Sequence, residues 1–113
     1  MEEQEREFIT PEIDKRVHRR AKLVTQVKCD NLGREELLLT RDISTGGVFV
    51  TTRNPFPSDS EVSLSFSLGS ESRSITCRGR VAYGVKNIGM GIQFFDLPDE
   101  IRQALQTFVD ETA

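Results

Sequence analysis

Between residues 62 and 68 apolar and small polar residues alternate without a break, Val62, Leu64, Phe66 and Leu68 against Ser63, Ser65 and Ser67. Period two puts the first set on one face of a β-strand and the serines on the other. A strand with one buried and one wetted face belongs in an antiparallel sheet. Five more runs have strand character: Leu23 to Cys29, Glu36 to Ile43, Val48 to Arg53, Ile75 to Tyr83 and Ile88 to Phe95. Within Ile75 to Tyr83, the apolar face is expected to hold Ile75, Cys77, Val81 and Tyr83, with Thr76, Arg78 and Arg80 opposite. Turn residues separate the runs at Asp30 to Gly33, Ser44 to Gly47, Gly69 to Ser72 and Gly84 to Asn87. Residues 54–59 must form a loop, because Pro55 and Pro57 cannot sit in a central strand. Gly89 and Gly91 in the last run predict a bulge or a close backbone approach.

The period then changes. Ile101, Leu105, Phe108 and Val109 fall at i, i+4, i+7 and i+8, one face of a helix. Pro98 fits the first helical position, and Asp99 and Glu100 favour a helix N-terminus. The spacing predicts a helix from Pro98 to Asp110 that covers a small core. At the other end, residues 1–14 are rich in Glu and carry Pro11, and read as a flexible acidic leader. The expected organisation is one mainly all-β domain over 15–113, with a basic arm at 15–22, a barrel at 23–96 and the helix at 98–110.

Length and composition narrow the class further. One core fits 113 residues, and two do not. No apolar run approaches the ~20 residues of a membrane span, and the acidic N-terminus lacks the apolar stretch of a secretory signal, so the cytoplasm is the default location. Cys29 and Cys77 stand far apart, outside any zinc-ligand spacing, and read as buried reduced thiols. His18 is the single histidine, which leaves no metal cluster. The net charge of −3 hides an asymmetry. Lys15, Arg16, Arg19, Arg20 and Lys22 place five positive charges in eight residues, and the rest of the chain holds 10 basic and 18 acidic residues. A compact positive segment on an acidic protein points to a small anionic ligand rather than a long polyanion. Taken alone, it is equally well a solvated tail.

Two short motifs carry chemistry. Arg16-Val17-His18-Arg19-Arg20 contains Arg-x-x-x-Arg, and Asp42-Ile43-Ser44-Thr45-Gly46-Gly47 contains Asp-x-Ser-x-x-Gly. Each alone recurs by chance, and Asp and Ser before two glycines often make a plain turn. They come in order, the first just before a strand and the second at a strand end. With the GVFV that follows the second motif, the GMGIQFFDL segment and the terminal helix, residues 15–112 resemble the PilZ family. That resemblance implies a six-stranded antiparallel β-barrel with a helix after the last strand; the patterning yields six strands separately. It also implies that the chain is a bacterial receptor for cyclic di-GMP, a macrocycle with two guanines and two phosphates. The family acts in motility, exopolysaccharide production, chemotaxis and virulence.

On the resemblance, Arg16, Arg20, Asp42, Ser44 and Gly47 bind the dinucleotide. Arginine's planar fork can grip phosphate oxygens or the O6 and N7 acceptors of guanine, and can stack on a base. Asp42 can accept from guanine N1–H and N2–H, a donor pair adenine lacks, and an unpaired Asp42 rejects the wrong base. Ser44 can accept from the N2 amine or donate to a nearby oxygen. Gly46 and Gly47 permit positive φ and a close approach of backbone to ligand. Lys15 and Arg19 add field. Gly46 stands at a variable family position, and Gly91 matches a family glycine near the ligand in some members. His18 reads as exposed and incidental, and Arg78 and Arg80 as solvated.

The implied protein is not an enzyme and needs no cofactor, and it signals through a partner protein. A nucleotide-independent interaction adaptor on the same fold is the alternative. A single-stranded nucleic-acid binder ranks third, because the aromatics fall on inferred core faces and the remaining surface is acidic. No P-loop and no Ser/His/Asp set supports catalysis.

Overall fold

The computed structural model describes residues 19–69 and 73–113. The leader at 1–14, Lys15, Arg16 and His18, and residues 70–72 of the expected turn lie outside the described residues. The strands are β1 (Ala21–Lys22), β2 (Gln26–Asn31), β3 (Arg34–Ile43), β4 (Gly47–Thr51), β5 (Glu61–Leu68), β6 (Arg73–Val85) and β7 (Gly89–Phe95), followed by helix α1 (Asp99–Thr112). All pairings are antiparallel. The ring runs β3, β2, β5, β6, β7, β4 and closes by pairing of β4 with β3. Six strands form the barrel, as the alternation predicts, and β1 is an addition.

The interior follows the period-two pattern. Val27, Leu64, Phe66, Ile75, Val81 and Ile92 are buried in one cluster, which Leu105 of α1 completes. Ile101 and Phe108 are partly buried against the same cluster, so the predicted helical face is the packed one. Pro98 stands at the N-cap, one position before the helix. Cys29 and Cys77 are free thiols inside the barrel. Burial pushes them up to about 12 and about 11, with the Glu36 carboxylate adding to the shift of Cys29.

Three departures from the predicted strands bear on the outer wall. The run from Leu23 to Cys29 is not one strand. It breaks at residues 23–25, where the β1–β2 side gains one residue over β3. The buried Thr40 hydroxyl stitches the break, donating to Leu23 O at 2.5 Å and accepting from Thr25 N–H at 3.0 Å. Next, β3 bulges at Arg41, between the pairs Thr40–Val50 and Asp42–Phe49. Last, β6 bulges at Ala82, between Val81–Ile92 and Tyr83–Gly91. One inserted residue moves the following side chain to the other face. Val81 is therefore fully buried while Tyr83 is 51% exposed, which corrects the expectation that both share the apolar face. β6 also runs on through Gly84 and Val85, so the turn falls at 86–88 rather than at Gly84 to Asn87.

Candidate functional site

Both bulges open onto the same place. An open cleft of about 720 Å3 lies on the outer wall where β3, β4, β7 and β6 run side by side. Arg20, Arg41, Asp42, Ser44 and Gly46 line one part of it, and Phe49, Tyr83, Gly91 and Gln93 another. The second motif thus reaches the cleft with the second arginine of the first motif and with Gly91.

The turn after β3 is built by Ser44. Its backbone N–H donates to Gly47 O at 2.8 Å. Its hydroxyl accepts from the N–H groups of Gly46 and Gly47 at 3.1 and 3.2 Å. Gly46 O accepts from Phe94 N–H at 2.9 Å, which pins the turn to β7. Ser44 is 1% exposed, and its hydroxyl is engaged by the turn at the edge of the cleft. Neither Gly46 nor Gly47 uses the positive φ expected of the pair. Gly47 is glycine because a Cβ there would stand 2.3 Å from the backbone O of Ile92 on the paired strand.

Asp42 sits between two guanidinium groups. Arg20 Nε donates to Oδ1 at 2.5 Å and Arg41 Nε to Oδ2 at 2.7 Å. Arg20 Nη1 lies 3.4 Å from Ser44 Oγ. β1 fixes Arg20's place, because Ala21 pairs with Ile43 and Lys22 with Asp42. The last two residues of the predicted arm are therefore strand. Partial burial works against the charge on Asp42, but the hydrogen bonds and charges of Arg41 and Arg20 outweigh it and hold the carboxyl below its usual range. The charged lining is then two guanidiniums against one carboxylate.

Arg41 also lies over Phe49, with Cζ 3.9 Å from the ring centroid. Phe49 is buried but outside the core cluster, on the outer side of β4 between Val48 and Val50. Tyr83 stands across Gly91 from it in the register, and the two ring centroids are 6.2 Å apart. A Cβ on Gly91 would be 2.4 Å from the Tyr83 ring, so the ring lies close over this backbone. This is the close approach that the glycines of β7 predict.

Arg41, Phe49 and Tyr83 escaped the sequence reading. Phe49 and Tyr83 look like core residues in a run of apolar ones, and only the bulges turn Arg41 and Tyr83 to the cleft. The Arg-Asp dipeptide at 41–42 was the one available signal. Arg19 points elsewhere, toward the end of α1, where Nη2 donates to Ala113 O at 3.2 Å and Nη1 is 3.6 Å from Asp110 Oδ1. Lys15 and Arg16 lie outside the described residues. Arg78 and Arg80 are exposed and flank the Phe95 ring at 4.9 and 5.3 Å. Among the described residues, no group of three metal-ligating side chains comes together, and no helix is long and apolar enough to cross a membrane.

Residues 14–111 match the family model described as the PilZ domain. No curated protein matches by sequence. Among solved structures, the inhibitor of motility MotI (DgrA) of Bacillus subtilis is 23% identical with a TM-score of 0.74, and the alignment covers 86% of this chain and 50% of MotI. The PilZ domain of YcgR from Escherichia coli, solved with c-di-GMP, is 11% identical with a TM-score of 0.71, covering 87% and 91% of the two chains. The PlzA protein of Borreliella burgdorferi, also in complex with c-di-GMP, is 18% identical with a TM-score of 0.61, covering 86% and 42%. At these identities the likeness shows a shared fold. The chain spans half the length of MotI and less than half that of PlzA.

Proposed function

The chain belongs to the PilZ domain family, and from that premise we propose that it is a non-enzymatic receptor that takes cyclic di-GMP into the cleft between Arg20, Asp42 and the Ser44–Gly47 turn. One observation supports this reading above the others: Arg20 and Asp42, from two separate motifs, meet in a cleft with an excess of positive charge. Two relatives of the same fold carry this ligand in their solved structures.

The chemistry follows from the side chains. Arg20 and Arg41 offer forked donors to the phosphates or to the O6 and N7 edge of guanine. Asp42 is kept ionised, so it is a pure acceptor for the N1–H and N2–H donors of guanine. Each of its oxygens has one lone pair engaged by an arginine, and further acceptor capacity remains. Adenine offers no such donor pair and leaves a desolvated carboxylate short of partners. Ser44 acts through the turn, holding Gly46 and Gly47 where the backbone meets the ligand. Arg16 completes the basic motif as a second arginine for the ligand.

The bound state is read by a partner protein. Ligand that grips Arg20 steadies its segment, which β1 already pairs to β3, and this added order is the switch. Limited proteolysis there slows on adding ligand, and equal rates in both states count against the switch.

Titration calorimetry with cyclic di-GMP, and cyclic di-AMP as control, tests the receptor. The wild type binds the first and rejects the second. Arg16→Ala and Arg20→Ala each lose about 1–3 kcal/mol, roughly 10- to 100-fold in affinity. Unchanged affinity in either variant removes the assignment of the site.

A further inference from the structure

Neither motif contains a flat apolar surface, yet a ligand with two purines offers mostly flat apolar area. The cleft has such a surface, made by residues outside the motifs. The Ala82 bulge breaks the β6–β7 register and delivers Tyr83 to the outer wall, half exposed, where an unbroken strand would have buried it. Giving up that burial beside a cleft is what a binding surface requires and what a core does not. One face of the Tyr83 ring lies against Gly91, and only the missing Cβ makes the approach possible. Phe49 backs it at 6.2 Å with the rings tilted by 38°.

The ledge already holds one flat, cationic, hydrogen-bonding group. Arg41 lies on Phe49 at 3.9 Å while its Nε reaches Asp42. A guanine laid along the same ledge meets the same two demands, a ring for its face and a carboxylate for its edge. We infer that Tyr83, seated on Gly91 and backed by Phe49, is the stacking surface for one guanine of the ligand; this rests on the cyclic di-GMP reading above. Arg41 extends the ledge from the Phe49 side and steadies Asp42 as a positioning residue.

The chain carries one tyrosine and no tryptophan, so intrinsic emission reports on Tyr83 alone. The test titrates wild type, Arg20→Ala, Tyr83→Leu and Tyr83→Trp with cyclic di-GMP by calorimetry, and follows wild-type tyrosine emission corrected for ligand absorbance. Tyr83 is exposed, so its variants fold. Saturating ligand quenches the wild-type emission. Tyr83→Leu weakens binding about five- to a hundredfold, while Tyr83→Trp, which keeps a flat ring, stays close to wild type. Wild-type affinity in Tyr83→Leu overturns the stacking role, and weak binding by Arg20→Ala in the same series leaves the receptor reading standing. A folded wild type that takes up no cyclic di-GMP overturns both.

Discussion

The inside of the barrel and the cleft on its outer wall share strands but are built by opposite rules. Inside, Val27, Leu64, Ile75 and Leu105 are interchangeable in kind: each is apolar, each is buried, and the regular alternation of the strands delivers them. On the wall, position depends on exceptions to that alternation. Arg41 faces the cleft because it is itself the inserted residue of β3, Tyr83 because Ala82 is inserted before it, and Arg20 because a two-residue strand anchors it. The interior stores stability in many equivalent contacts, whereas the proposed site on the wall depends on a few ionic and stacked ones. Substitutions inside are therefore expected to change stability and spare recognition, and those on the wall to do the reverse.

The largest expected effect tests the interior. Leu64→Ala removes a buried side chain from the centre of β5 and costs about 2–5 kcal/mol of folding stability, read from urea denaturation. Its cyclic di-GMP affinity stays that of wild type wherever the protein remains folded. Next, Gly47→Ala attacks the seam between the regions. The new Cβ meets the Ile92 backbone oxygen, which cannot swing aside, so stability falls by about 1–3 kcal/mol and ligand affinity falls with it. A loss of one without the other shows that Gly47 does not couple the two regions. Arg20→Ala works only on the wall. The Arg20–Asp42 pair is partly solvated, so its removal changes stability by less than about 1 kcal/mol in the same denaturation experiment.

The smallest effect concerns pH. The carboxyl of Asp42 titrates below its ordinary 3.8 in the folded protein. Its charge therefore contributes stability above that ordinary value, and the contribution is lost as pH falls through the lower folded value. Asp42→Asn lacks this contribution. Denaturation curves of the two proteins differ by a constant amount near neutral pH and converge in strong acid. A difference that grows as pH falls reverses the sign assigned to the pair.

How much of this was legible in the sequence follows the same division. β5 could be read directly, because Val62 to Leu68 alternates without interruption. The helix face of Leu105 and Val109 was legible for the same reason, a period kept over several turns. Tyr83 was misplaced because the pattern assigns it the face of Val81, and nothing in the residues Val81-Ala82-Tyr83 marks Ala82 as inserted. The break at residues 23–25 was hidden as well, since it depends on a Thr40 hydroxyl 15 residues away. Asp42 and the Ser44–Gly47 turn could be found because their chemistry is local. Arg41 could not, because its place over Phe49 exists only once β4 is laid beside β3.

Cys29 and Cys77 give the barrel an internal clock. Both thiols are buried and burial pushes them up to about 12 and about 11, so neither is an effective nucleophile toward an alkylating reagent while the ring is closed. Modification then proceeds at the pace of opening. A ligand that binds only the closed form lowers the opened population by a factor of one plus the ratio of its free concentration to Kd. At a free concentration about 100 times Kd, cyclic di-GMP slows thiol modification about 100-fold, although the thiols lie inside the ring and the ligand outside it. Two buried sulfur atoms thereby time every event on the wall that holds the ring shut.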